Sequence, residues 1–219
     1  MADEGQGVAD STEGAAGATG PARLEGIAGA ARTASGKGPA PVHLWNPPFC
    51  GDIDMRIAAD GTWHYQKTPI GRPALVKLFA SILKREGERY FLVTPVEKCG
   101  IAVDDAPFLA VELKVEDAGN SERVLHFRTN VDDWVACGRD HPLRFATEPG
   151  TGGLKPYLHV RRNLWAKMTR ALFYDLVELG EEREADGMAM FGVASAGAFY
   201  PMAPSEGLAD VVGPKPQLG

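Results

Sequence analysis

From Asp52 the chain alternates, with Ile53, Met55 and Ile57 on one side of an extended strand and Asp52, Asp54 and Arg56 on the other. Asp60-Gly61 marks a turn, after which Trp63 and Tyr65 resume the alternation. Loop length sets the register. A three-residue loop Ala59-Asp60-Gly61, with Gly61 in the left-handed position, pairs Ile57 with Trp63 and Met55 with Tyr65. Two or four loop residues would mix apolar and polar faces. The same register sets Arg56 opposite His64 and Asp54 opposite Gln66, so the hairpin has one apolar and one polar face. A helix is predicted from Pro73, with the stripe Leu75, Val76, Leu78, Phe79, Ile82 and Leu83 ending at Gly87. Four strand-like runs follow, "RYFLVTP", "VEKCGIAV", "PFLAVELKV" and "RVLHFRT", the last two forming a hairpin across "EDAGNSE".

A second pass starts near "PLRF" at 142–145, with an extended segment over 155–160, a helix over 162–179 and strands in "MAMFGVASAGAFYP". The order strand, helix, strand pair in "TWHYQ" to "YFLVTPVEKCGI" thus recurs in "KPYLHV" to "AMFGVASAGAFYP". The pattern predicts an α+β fold of two related halves, each a mostly antiparallel sheet packed on one main helix and dividing near 138–145. Residues 1–40, rich in Gly, Ala, Ser and Thr, read as a disordered arm, 41–140 and 141–202 as the halves, and 203–219 as a flexible tail.

The stretches "GDIDMRIAADGTWHYQKTPIGRPALVKLFASILKREGERYFLVTPVEKCGIAVDDAPFLAVEL", "TNVDDWVACGRDHPLRF", "PYLHVRRNLWAKMTRALFYDLVELG" and "GVASAGAFYPM" together resemble a bacterial family of unknown function, DUF1285. The resemblance covers roughly residues 42–202 and leaves the arm outside. It implies a two-part α+β architecture with repeated motifs and a role in signal transduction, and it carries no catalytic residues over.

The net charge of −6 argues against general nucleic-acid binding, which needs a basic footprint. No apolar run is long enough for a membrane span, the acidic opening Met1-Ala2-Asp3-Glu4 with no apolar h-region predicts no secretion by a signal peptide, and three widely spaced cysteines read as thiols of a reducing cytoplasm. No Cys-x-x-Cys or His-x-x-x-His spacing points to zinc. A calcium loop from Asp52 would need Gly and Glu where Ile57 and Trp63 stand. No metal or other cofactor is implied.

Against that acidic background, residues 154–170 hold five bases and no acid: Lys155, Arg161, Arg162, Lys167 and Arg170. Arg161-Arg162-Asn163 falls at the predicted start of the second helix, where free N–H groups and guanidinium forks would hold a small anion. "VASAG" around Ser195 lacks the first glycine of a nucleophile elbow, and all five histidines precede it. Asp175 shares the spacing of Leu164, Met168, Ala171 and Leu179 and is expected to be partly buried. His141 and Arg144 are candidates for a cleft between the halves. The resulting expectation is a non-catalytic cytoplasmic module binding a small anionic ligand or a protein partner through Arg161, Arg162, Asn163, Asp54, Arg56, His64, His141 and Arg144. The alternative is a hydrolase-like enzyme using the Asp52, Asp54 and His64 face, with or without a metal.

Overall fold

The computed structural model of the chain describes residues 20–34, 38–117, 123–185 and 187–206. Its first element corrects the arm. Helix α1 (Pro21–Ala34) starts on Pro21 and buries Ile27, Ala28 and Ala31. With Leu24 packed against the core, these residues follow the i, i+3, i+4, i+7 stripe of an amphipathic helix, hidden in the sequence because two of its members are alanines. Residues 1–19 and 35–37 of the expected arm and the tail from 207 lie outside the described residues, while Ala40 at the arm's end is buried and its N–H donates to the Ser81 carbonyl.

Strands β1 (Phe49–Ile57), β2 (Trp63–Tyr65) and β3 (Thr68–Pro69) form a meander. Its register pairs Met55 with Tyr65, Arg56 with His64 and Ile57 with Trp63, as the alternation requires. Helix α2 (Pro73–Ser81) then leads into a second meander, β4 (Leu83–Glu86), β5 (Arg89–Val93) and β6 (Lys98–Val103). The expected helix through Leu83 is therefore too long. Ile82 is its C-cap, and Leu83–Glu86 pairs with β5 instead, closing over Gly87 at φ +59°.

The next six strands repeat this plan: β7 (Phe108–Glu116), β8 (Val124–Thr129), β9 (Trp134–Ala136), β10 (Leu143–Thr147), β11 (Leu154–Arg161) and β12 (Leu164–Met168). The two sheets have the orders β3-β2-β1-β6-β5-β4 and β10-β11-β12-β7-β8-β9. In each, two three-stranded meanders meet through their first and last strands, which run parallel: β1 with β6 and β7 with β12. This repeat has a different phase from the one read in the sequence. In the first copy a helix joins the two meanders; in the second, residues 137–142 make the join without one, and α3 (Arg170–Glu178) follows the sixth strand. The change of sheet accordingly lies between Val103 and Phe108, and the expected division near 138–145 falls inside the second sheet.

The predicted helix over 162–179 divides in two. Arg162 and Asn163, at φ +41° and +66°, make a two-residue hairpin turn, and Leu164, Ala166 and Met168 alternate inward along β12. The helix begins only after Thr169, whose side chain accepts from the Leu172 N–H as an N-cap. Asp175 lies on the exposed face of α3, because the buried residues are Leu172, Phe173, Tyr174 and Leu176. A third sheet, β13 (Glu181–Ala185), β14 (Met188–Ser195) and β15 (Ala198–Pro204), follows; α3 packs against β7 and β14. One apolar core runs through α1, both six-stranded sheets and α3.

Gly61 sits at the contact between the halves. At φ +80° it occupies a region that excludes branched side chains, and a Cβ there would lie 2.9 Å from Leu109 Cδ1 and 3.0 Å from Asn130 Nδ2. Gly61→Val combines backbone strain with overpacking and should cost on the order of 3 kcal/mol in denaturant unfolding.

Helix α1 is bonded as well as packed. The Arg23 guanidinium donates to Glu97 at 3.4 Å and Cys99 Sγ at 3.3 Å, Tyr65 Oη donates to the Gly20 carbonyl at 2.8 Å, and Arg72 pairs with Glu25 at 3.0 Å. Ile27→Ala should therefore lower stability by about 2 kcal/mol or more, and limited proteolysis should cut within 20–34 faster than in wild type.

Candidate functional site

The polar face of the first hairpin is a belt of ion pairs. Asp52 accepts from Arg89 at 2.6 Å, and Arg56 grips Asp104 through both Nε, at 2.8 Å, and Nη2. The Arg56 guanidinium holds the Asp104 carboxyl below its ordinary range. Asp54 is exposed, and His64 lies opposite Arg56 with its Nδ1 shielded and meeting no hydrogen-bond partner among the described residues. The geometry brings these residues together as the register requires. Among the described residues no group of three or more His, Cys, Asp or Glu converges as a metal site.

Arg161, Arg162 and Asn163 stand on the turn between β11 and β12, away from any helix start. Arg161 fastens the halves: it donates to Asp133 Oδ2 at 2.6 Å and to the Ala80 carbonyl at the end of α2 at 2.9 Å, with Phe108 under its guanidinium. Arg162 donates to the Ala40 carbonyl at 3.3 Å. Lys77 of α2 pairs with Asp132 in the same seam. A cavity of about 330 Å³ between α2 and residues 131–133 includes Arg161, Asp133 and Lys77 in its wall.

His141 and Arg144 fall on one stripe of the second sheet. His141 stacks on His159 with centroids 5.7 Å apart, and His159 meets Trp165 edge-on at 5.2 Å. Arg144 lies over Trp165 at 4.4 Å and Tyr157 at 5.0 Å. Ser195 is a buried fastener: its Oγ accepts from the Leu125 N–H at 2.9 Å and donates to the Cys137 carbonyl at 2.8 Å.

The arrangement that sequence reasoning missed lies where the two six-stranded sheets meet. A cavity of about 490 Å³ opens between the hairpin tip Ala59-Asp60, the first residues of β11, the end of β12 and the first turn of α3. Its apolar wall includes Leu109, Leu154, Met168 and Phe173, and its cations are Lys155, Lys167 and Arg170. These three belong to the acid-free basic stretch, so the charge signal was present; the strand geometry that aims them together was not. Behind the lysines, Asp105 accepts from Tyr157 Oη at 2.7 Å and pairs with Lys167 at 3.0 Å and Lys155 at 3.9 Å. Lys155 also reaches Glu148 at 3.2 Å. Arg170 donates to Tyr174 Oη at 3.2 Å.

Burial pushes the Asp105 carboxyl up, but the Tyr157 hydroxyl and Lys167 outweigh it and hold the group below its usual 3.8. Burial and the neighbouring Asp105 carboxylate raise the Tyr157 hydroxyl well above its ordinary value.

The chain is thus a two-part module: a doubled six-stranded plan with an ionisable, partly apolar cavity where its copies meet. Residues 40–106 match the N-terminal domain, and residues 107–202 the C-terminal domain, of a family described as a protein of unknown function, DUF1285; the chain belongs to this family. The family border at 106/107 coincides with the change of sheet. A DUF1285 crystal structure from Silicibacter pomeroyi DSS-3 is 55% identical, covers 83% of this chain and 97% of its own, and superposes with a TM-score of 0.75. A second, from Shewanella baltica OS155, is 32% identical over 57% of this chain and 91% of its own, with a TM-score of 0.46. No curated protein matches the chain. No helix among the described residues is long and apolar enough to cross a membrane.

Since the folded-state pKa of Asp105 is depressed, its stabilising contribution is complete above the unfolded value and is lost as pH falls through the folded one. Asp105→Asn should destabilise the protein by about 1–3 kcal/mol at pH 7. Thermal melts from pH 7 to 2 should show the gap to wild type closing below about pH 4.

Proposed function

We propose that the protein is a non-catalytic binding module that takes a small organic anion in the cavity between its two halves, acting as a cytoplasmic sensor or adaptor in signal transduction. The observation that carries this reading is the cavity itself: residues of the first hairpin form one wall, and the second half supplies Lys155, Lys167 and Arg170 beside apolar side chains. A carboxylate or phosphate finds cations there, and the attached hydrocarbon finds Leu109, Leu154 and Phe173. Asp105 and Glu148 hold the lysines in place, so an arriving anion exchanges one partner for another without desolvating a bare ammonium. Because the wall comes from both halves, occupancy bears on their contact, which is what a sensor must report.

Arg161 and Arg162 serve this reading as fasteners of the frame, and the anion ligands move to the other three bases of the same stretch. The stripe of exposed Arg144 and half-buried Trp165 is the surface we assign to a protein partner, because stacked guanidinium and aromatic groups give contact area with little ordering cost.

Calorimetric titration of the full chain with 4-methylvalerate, 3-phenylpropionate and inorganic phosphate tests the site. The two organic acids should bind, and binding should weaken with added salt. Lys155→Gln should reduce their affinity about tenfold while leaving the melting curve nearly unchanged. Equal binding by wild type and this variant would place the anion elsewhere.

A further inference from the structure

The charges of the junction cavity are of both signs: its cations all come from the second half, and of its two carboxylates Asp60 comes from the first. Lys155 and Lys167 project from the second sheet, while Asp60 stands at the tip of the first hairpin. Glu148 also lines the cavity but is engaged, accepting from Thr151 Oγ1 at 2.8 Å and pairing with Lys155 at 3.2 Å. Asp60 is differently placed: its Oδ1 accepts the Thr62 N–H at 2.9 Å, and it has no ion-pair partner among the described residues. The bonds from Thr62 keep this carboxyl ionised, below its ordinary range.

An ionised carboxylate on the wall of a small cavity, near Arg56 but in no direct ion pair among the described residues, works against a simple anion, since like charges at close range repel. The same group attracts a ligand that carries an ammonium as well. We infer that the ligand of this cavity is zwitterionic, an ammonium and a carboxylate beside an apolar side chain as in an apolar α-amino acid, with Asp60 receiving the ammonium and Lys155 and Lys167 the carboxylate. This deepens the anion-binding reading above and rests on it. The volume of about 490 Å³ accommodates such a molecule. Its side chain meets Leu109, Leu154, Met168 and Phe173, of which Met168 and Phe173 are nearly buried. The ligand then spans the junction, ammonium to the first half and carboxylate to the second.

Titration of the full chain with leucine, 4-methylvalerate and isoamylamine, and with phenylalanine, 3-phenylpropionate and phenethylamine, separates the charge contributions at constant salt. In at least one series the amino acid should bind about tenfold or more tighter than its deaminated acid, and the amine weakest. Asp60→Asn keeps an acceptor for the Thr62 N–H and so preserves the turn, which a melting curve checks. It should bring the amino acid to the affinity of the acid and leave the acid unchanged or tighter. If the acid binds wild type as tightly as the amino acid does, and Asp60→Asn changes neither, the zwitterion inference is wrong and the anion reading stands. If neither acid nor amino acid binds, or both bind Lys155→Gln as tightly as wild type, the cavity is not an anion site and both readings fall.

Discussion

Each six-stranded sheet depends on one parallel seam. A three-stranded meander alone has two open edges, and joining two of them through β1 and β6, or through β7 and β12, closes the inner edges. The seam strands are also those that reach the junction: β6 runs through residues 104–107 directly into β7, β1 ends at the hairpin tip, and β12 ends at the start of α3. The 490 Å³ cavity lies where these ends meet. It is a by-product of the topology before it is a site, and its lining combines residues at the ends of the seam strands with the first residues of β11.

Charged groups hold much of this junction. Arg161 spans from Asp133 to the Ala80 carbonyl, Lys77 pairs with Asp132, and Asp105 gathers Tyr157, Lys167 and Lys155. Partly buried ion pairs of this kind return little net energy over an apolar contact, but they penalise misalignment strongly, since a shifted half would leave a carboxylate without its partner. They therefore define the relative position of the halves more than they stabilise it.

What the chain declared in advance followed from short-range rules. The first hairpin, its three-residue loop and the apolar face through Met55, Ile57 and Trp63 were readable because period 2 and the Asp60-Gly61 turn agree. The family was readable from long motifs. The second helix start was not: Leu164 and Met168 fit strand and helix spacings alike, and the deciding signals were the alternation through Ala166, the Arg162-Asn163 turn and the Thr169 cap. Helix α1 escaped because alanines carry little hydropathy yet pack closely. The cavity escaped for a deeper reason. Asp60 and Lys167 are brought together by a sheet-to-sheet contact that no local pattern encodes.

The parallel seams also bear on how the chain reaches this state. Meanders β4 to β6 and β10 to β12 consist of neighbours in sequence and can assemble early, whereas pairing Phe108 with Ala166, or Ile57 with Val103, requires closing a long intervening loop first. Until then, each meander exposes an unpaired inner strand. Loop-closure entropy therefore makes the seams the slow, non-local step expected of this topology, and exposed inner strands are the edges open to intermolecular pairing until they close.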